Sequence, residues 1–388
     1  MRVLQIHTRY RQAGGEDAVV DAEAAVLREA GHDVFQWRTK NPESSVMAAG
    51  TLALSPWNPA AARMLRAVVA QVRPDLAHVH NTWYAMSPAI IAALEGVEIP
   101  VVVTLHNYRL LCANAMLFRD GRPCEDCVGT HPWHGVRHAC YRGSVAASVP
   151  AAATIALHQR LGTWQRRVSL FLATTEFARG RFVAGGLPPT RIRVKPHFID
   201  DPGPRERPPS ASREVLYVGR LSPEKGVDTL VDAFSRLDGC DLRLVVVGSG
   251  PQRAALERRA GPNVHFTGRL PPERARERMR GARALAFPSR WYETFGMSVL
   301  EAMAAGIPVL ASDLGGTPEI LGRRAGWLVA PGDATSWAAA LRRLADSIVV
   351  DAAGQAARQR WDDRFNPSTG LSNLEDAYGQ AYQTVTQP

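Results

Sequence analysis

At 388 residues, 46% hydrophobic and 21% charged, the chain has room for two packed cores and the make-up of an ordinary globular protein, which excludes a disordered or fibrous one. No apolar run reaches the roughly 18–20 residues of a membrane span, and residues 1–6 read as a first strand and not as a signal peptide, so a cytosolic protein is expected. The net charge of +9 is uneven, with 22 Lys+Arg against 15 Asp+Glu in residues 1–200 and 24 against 22 in the rest. No nucleic-acid motif accompanies the excess, so it reads either as a soluble surface that is simply basic or as a surface for phosphate groups or an anionic inner membrane face, not for nucleic acid.

Short apolar runs at 3–6, 34–37, 76–79, 101–105 and 170–174 alternate with helical patterns such as 17–30 and 60–72. This is the rhythm of a parallel, doubly wound sheet. The first βα junction carries Gly14 and Gly15 followed by Glu16 and Asp17, a tight turn into a helix whose N-terminus suits a phosphate. Asn81 ends the third apolar run, and His106, Asn107, Tyr108 and Arg109 follow the fourth. Ligands of open α/β sheets bind at these carboxyl ends, which makes the five polar residues cleft candidates, and Lys195 and His197, at the end of this half, are further candidates to line the cleft. Between them lie Cys112, Cys124, Cys127 and Cys140, spaced Cys-x11-Cys-x2-Cys-x12-Cys on a long loop with His131, His134 and His138. Thiolate quartets containing Cys-x2-Cys hold structural zinc in many proteins, so these four are a candidate zinc site, with reduced, unligated thiols as the alternative. Cys240 reads as a core thiol.

Four prolines among charges at 201–212 read as an exposed linker. The rhythm then restarts with strands at 215–218, 242–247, 264–267, 284–287 and 308–311 and helices at 225–237, 251–260, 272–281 and 296–305, and the stretch 336–386 is helical in pattern. Domains are expected at 1–200 and 213–365, with a final helix at 366–388. Gly248-Ser249-Gly250 follows a strand but lacks the third glycine of a dinucleotide fingerprint, so it does not signal NAD.

The densest signal is Glu293-Thr294-Phe295-Gly296-Met297-Ser298-Val299-Leu300-Glu301, two carboxylates eight apart across a helix start. The unpaired N–H groups of a helix starting near Gly296 would seat a diphosphate. Upstream, Arg220 and Lys225 in Gly219-Arg220-Leu221-Ser222-Pro223-Glu224-Lys225-Gly226 can take the charge of a departing nucleoside diphosphate. No Asp-x-Asp pair for a metal-bound diphosphate is seen, and no cofactor is required for catalysis on this reading.

Glu-x7-Glu with the Arg220/Lys225 stretch resembles the family 4 glycosyltransferases of GT-B fold, over nearly the whole chain. The resemblance implies two Rossmann-like domains facing a cleft, the first binding the acceptor and the second the nucleotide-sugar, with the final helix crossing back to the first. It implies metal-independent, retaining transfer of a hexose or N-acetylhexosamine, from a UDP-sugar before GDP-mannose, to a saccharide, lipid-linked or small-molecule acceptor in bacterial polysaccharide or glycoconjugate synthesis. It gives Arg220 and Lys225 the leaving phosphate, Glu293 and His106 the transferred sugar, and Glu301 the ribose. Thr294, Phe295, Gly296 and Met297 supply backbone N–H groups, and Gly14, Gly15, Gly219, Gly248 and Arg269 complete the donor contacts. Asn81, Asn107, Tyr108 and Arg109 are acceptor contacts. Two other readings stand beside it: a GT-B relative that hydrolyses or epimerises nucleotide-sugars, and a non-catalytic sugar-nucleotide-binding subunit.

Overall fold

The computed structural model describes residues 1–9, 14–94, 99–237 and 239–386. The chain divides into two compact units. Unit 1 comprises Met1–Leu117, Cys124–His197 and Pro367–Pro388, and unit 2 comprises Phe118–Pro123 and Phe198–Asn366.

Unit 1 is built on β1 (Arg2–Arg9), β2 (Asp33–Lys40), β3 (Leu76–Asn81) and β4 (Val101–Leu105). A short antiparallel hairpin, β5 (Phe118–Arg119) and β6 (Arg122–Pro123), follows in the chain, and then β7 (Leu170–Ala173) and β8 (Ile192–Val194). The sheet order is β2-β1-β3-β4-β7-β8, with every pairing parallel. β3, β4 and β7 are buried end to end, as continuous apolar strands sandwiched by helices must be. Helix Pro367–Thr386 packs on this sheet, with Leu374, Ala377, Tyr378 and Ala381 fully buried.

Unit 2 contains β9 (Glu214–Val218), β10 (Arg243–Val247), β11 (Val264–Gly268), β12 (Ala284–Phe287), β13 (Val309–Ser312) and β14 (Gly326–Val329). They form a second parallel sheet in the order β11-β10-β9-β12-β13-β14. Apolar clusters cover both of its faces, one centred on Val246 and Trp337, the other on Val245, Val299 and Trp361.

The stretch 201–212, read from sequence as an exposed linker, is exposed at Asp201, Pro204, Glu206, Arg207, Pro208 and Ala211 and is pinned at its second end. Pro209 is buried, the Ser210 N–H and hydroxyl donate to Asp351 at 2.8 and 2.7 Å, and Arg283 donates to the carbonyls of Ser210 and Ser212 at 2.6 and 2.9 Å. The prolines thus fix a segment clamped to helix Ser347–Arg364.

Among the described residues no helix is long and apolar enough to cross a membrane.

Candidate active site

Each sheet has one place where the strand order reverses, between β1 and β3 in unit 1 and between β9 and β12 in unit 2. Loops leaving adjacent strands in opposite directions open a crevice there, beyond the strand carboxyl ends. In unit 2 the two loops are 219–226 and 288–296, which hold most of the donor residues expected from sequence.

Lys225 donates to Glu293 Oε1 at 2.7 Å, and the Ser289 hydroxyl donates to the same oxygen at 2.6 Å. The Glu293 side chain is 6% exposed and the Lys225 side chain 23%, so the pair is largely shielded from water. The Lys225 ammonium also lies 5.2 Å from the Trp291 ring centroid and 5.9 Å from that of Phe287. Two backbone contacts fix Glu293. Its carbonyl accepts from Gly316 N–H at 2.9 Å, and Gly315, at φ +65°, lies so close that a Cβ there would fall 2.8 Å from the Glu293 nitrogen.

Arg220 lies alongside. It donates to Glu224 at 2.6 Å and to Ser222 at 3.2 Å, and Ser222 donates to the same Glu224 oxygen at 2.5 Å. Burial raises the Glu224 carboxyl, but hydrogen bonds from Ser222 and Arg220 more than offset it and hold the group below its ordinary value. The Arg220 side chain is still 60% exposed, leaving guanidinium edges for an oxyanion. The Glu224 carbonyl accepts from Arg290 N–H at 2.8 Å, tying the two loops together.

Helix Met297–Ala304 begins at Gly296, which as a glycine offers no side-chain cap, and its inner face buries Val299, Leu300, Ala302 and Met303. Thr294 and Phe295 are buried at its entry. Glu301 projects from the partly exposed side of the helix. Burial raises its carboxyl above the ordinary value, with Arg276 opposing. Arg269 is exposed, directly after β11. Gly248 turns out to serve the fold: at φ +145° a Cβ on it would fall 1.8 Å from the Gly219 carbonyl oxygen. A Cβ on Gly250 would likewise fall 2.3 Å from the Leu221 carbonyl oxygen, so Gly248 and Gly250 let two loops touch backbone to backbone, a packing reason for the Gly-x-Gly pattern.

In unit 1 Gly14 caps helix Gly15–Glu29. Its N–H donates to Asp17 at 3.0 Å, while the other Asp17 oxygen bonds His7 Nε2 at 3.0 Å. Among the described residues, and its chain neighbours aside, no atom lies within 4 Å of where a Gly14 Cβ would be. Asn107 donates to Glu16 at 2.8 Å and accepts from the Arg109 N–H at 3.1 Å. Asn81 donates to the Thr8 carbonyl at 3.0 Å and accepts from Trp83 N–H at 2.9 Å. His80, Asn81, His106, Asn107 and Arg109 line one pocket, walled by Trp83 and Trp164. The Arg109 guanidinium lies 4.4 Å from the Trp83 ring centroid and donates to the Ala113 carbonyl.

Tyr108 corrects the sequence reading. It is fully buried and stacked on Phe182 with ring centroids 5.5 Å apart, so it packs the core and does not reach an acceptor. Lys195 is likewise buried, with its ammonium on the Glu23 carboxylate. His197 stacks on His106 at 5.2 Å.

Sequence reasoning missed the buried polar group beneath this pocket. Glu23, on the inward face of helix Gly15–Glu29, sits among His78, His80 and Lys195. His78 bonds Tyr378 at 2.9 Å and Thr104 at 2.8 Å, and His80 Nδ1 meets His106 Nε2 at 3.0 Å. Desolvation pulls His80, His106 and His197 well below the ordinary imidazole value, and His78 to about 3. These rings are therefore neutral at pH 7, and His106 can only hydrogen-bond, not bring a charge. Among the described residues Glu23, His78 and His80 form the one group of three whose donor atoms lie within metal-binding reach of one another. The Lys195 ammonium on Glu23 and the Tyr378 hydroxyl on His78 already fill that space, which argues against a cation there.

The Gly135 N–H donates to the Pro132 carbonyl at 3.0 Å, the Cys127 thiol lies 3.9 Å from the same oxygen, and the Gly135 carbonyl accepts from Cys140 N–H at 2.8 Å. No three of the four loop cysteines have sulfurs within metal-binding reach of one another. Burial and the neighbouring thiols Cys112, Cys140 and Cys124 push the Cys127 thiol up to about 12.

Comparison with known proteins is decisive. The family profile described as Glycosyltransferase Family 4 matches residues 13–201, and that described as Glycosyl transferases group 1 matches residues 212–347. The chain belongs to the family 4 glycosyltransferases. It is 29% identical to a Mycobacterium tuberculosis glycogen synthase over 330 residues, covering 81% of this chain and 71% of that protein. To 2-deoxystreptamine glucosyltransferase of Streptomyces kanamyceticus it is 28% identical over 299 residues, 74% of this chain and 72% of the relative. Sucrose-phosphate synthase of Thermosynechococcus elongatus superposes with a TM-score of 0.74 at 20% identity, covering 98% of this chain and 99% of that one. HepE of Anabaena, solved with UDP and glucose, gives 0.68 at 17% identity, with 98% and 99% covered. This glycosyltransferase therefore has the GT-B fold, with one parallel α/β sheet in each unit.

Proposed function

We propose that this glycosyltransferase moves a hexose or N-acetylhexosamine from a UDP-sugar to a hydroxyl of a saccharide, lipid-linked or small-molecule acceptor, with retention at the anomeric carbon. The observation that carries the reading is the joining of Lys225, Glu293 and Ser289 through one carboxylate oxygen, beside Arg220 and the bare helix start at Gly296. A diphosphate set against that helix start accepts backbone N–H groups, while Arg220 and Lys225 stabilise the charge growing on the leaving oxygen. Glu293 accepts hydroxyls of the transferred sugar and faces the positive charge near the anomeric carbon. Glu301 accepts the ribose hydroxyls. The departing phosphate takes the acceptor proton on the same face, so positioning and electrostatics replace a strong protein base. The pocket holding Asn81, Asn107 and Arg109 serves the acceptor, and neutral His106 in the same pocket hydrogen-bonds the transferred sugar. HepE, the structural neighbour solved with UDP and glucose, supports uridine as the base.

The Cys-x2-Cys pair on the long loop is the ground for a structural zinc held by Cys112, Cys124, Cys127 and Cys140, and binding would have to draw the sulfurs together, since no three of them lie within metal-binding reach of one another.

The test is thermal stabilisation by UDP, GDP, ADP and dTDP, repeated with Glu301→Ala. Ligand binding to the native state raises Tm by mass action. The expected result is a shift with UDP that the variant loses. No shift with any nucleotide at millimolar concentration refutes the proposal. NMR of the product's anomeric proton then tests retention.

A further inference from the structure

Helices Ser45–Ala53 and Val145–Arg160 of unit 1 pack side by side. Ala48 and Leu52 of the first share a buried cluster with Ala147 and Ala151 of the second. Just beyond the first helix, the hydroxyl of Ser55 meets that of Thr154 at 3.1 Å, and Trp57 stacks on His158 with ring centroids 6.0 Å apart. Burial uses one stripe of each helix. The outward stripe of a helix facing water ordinarily carries charge. Here it does not: Val46 is 82% exposed, Met47 64% and Val145 55%, and Val149, Leu54 and Trp57 are also exposed. The first helix has no charged residue, and the second has none before Arg160, apart from neutral-held His158.

The surroundings are of one sign. Residues 44–74 and 128–175 contain no aspartate or glutamate. They do contain Arg63, Arg66, Arg137, Arg142, Arg160 and Arg166, all exposed. Much of the basic excess of the N-terminal half is therefore concentrated on segments joined to the exposed apolar stripe.

We propose that this face docks the chain on an anionic lipid bilayer, with Val46, Met47, Val145 and Val149 entering the boundary between headgroups and acyl chains and the arginines meeting lipid phosphates. Exposed apolar side chains on segments that carry several exposed arginines and, after Glu43, no acid suit a negatively charged interface. A second copy suits it poorly, because a two-fold contact would bring the same arginines against each other with no carboxylate between them. Docking gives the lipid-linked acceptor class of the proposed function a physical basis, but vesicle binding does not depend on that function.

The experiment is co-sedimentation of the full chain with vesicles of phosphatidylcholine alone and of phosphatidylcholine with phosphatidylglycerol. Wild type should bind the anionic vesicles at least about tenfold more tightly than the neutral ones, and rising salt should weaken the binding. Met47→Glu with Val149→Glu places charge at two exposed sites, so Tm and UDP binding should hold while vesicle affinity falls at least about tenfold. Absence of binding to anionic vesicles overturns the proposal and leaves the transferase reading untouched, as does equal binding by the double variant. A dimer in sedimentation velocity that the double variant dissociates would overturn it in favour of a second copy.

Discussion

Unit 1 should be acid-labile in a pH range where unit 2 is not. Of the eleven histidines, His265 alone lies in unit 2. In unit 1 burial drives His78 to about 3 and His158 to about 4, and lowers His7, His80, His106 and His197 as well. A histidine held neutral by the fold contributes stability that is full above its unfolded value, near 6.5, and is lost as pH falls from there toward the folded value. At pH 5.5 each group that stays neutral in the fold costs about 1.4 kcal/mol relative to pH 7.5 or above. His78 and His158 alone therefore remove about 3 kcal/mol, and the other four add in the same direction. Carboxylates held low, such as Glu224, lose their contribution only below about 4.5, so they do not confuse the window. The assay is calorimetric and urea unfolding at pH 7.5, 6.5 and 5.5, with proton uptake on unfolding measured directly. Uptake at pH 5.5 should reach about two protons or more. His158→Gln, which can keep a hydrogen bond to Thr163 or the Pro56 carbonyl, should lower it by about one. Stability equal at pH 7.5 and 5.5, or uptake unchanged by His158→Gln, would refute the reasoning.

On the proposed mechanism Arg220→Ala should lower kcat by about 10²–10³-fold, and Tm should fall as well, because the shielded Glu224 carboxylate loses its guanidinium and keeps only Ser222. A proportionate rise in KM alone would show that it only binds. Lys225→Ala leaves the shielded Glu293 carboxylate with Ser289 and without its ammonium, so unit 2 should lose about 3 kcal/mol in urea unfolding; an unchanged midpoint would contradict the buried pair. On the proposed function Glu301 must be ionised to accept ribose hydroxyls, and burial has already raised its carboxyl. UDP affinity, by calorimetry, should therefore weaken as pH falls through that raised value, and Glu301→Gln should flatten the dependence. For the cysteine loop, metal analysis of purified protein should find about one zinc per chain, lost with a lowered Tm in Cys124→Ser/Cys127→Ser. Metal-free protein with an unchanged Tm in that variant would dismiss the zinc.

Strands 3–6, 76–79, 101–105 and 284–287 were legible because short, mostly apolar runs bounded by polar ends admit few alternatives, and they lie within β1, β3, β4 and β12. The loops after β9 and β12 were legible because their charges stand out against such strands. Helices Ser45–Ala53 and Val145–Arg160 were not, since Ala, Val and Ser on every side leave no polar stripe to give a period. Glu23 was missed for the converse reason: a glutamate in an alanine-rich helix reads as surface, and only the tertiary fold brings Lys195 and two histidines onto it. Tyr108 failed because position at a strand's end does not fix direction, and its ring turned inward to Phe182. The Gly-x-Gly at 248–250 could be excluded as a dinucleotide fingerprint, but its steric purpose against Gly219 needed coordinates.

The helix Pro367–Thr386 closes unit 1 from the far side of unit 2 in the sequence, and its Tyr378 hydroxyl completes the bond to His78. During synthesis the residues of unit 2 are all available once Asn366 has left the ribosome. Unit 1, although begun first, has to wait for the last helix to cover its sheet. The half of the molecule with the most buried titratable groups is thus the last to be sealed, and for the length of time taken to make unit 2 its histidines and Glu23 depend on solvent, or on a chaperone, for the cover that Tyr378 and its neighbours later provide.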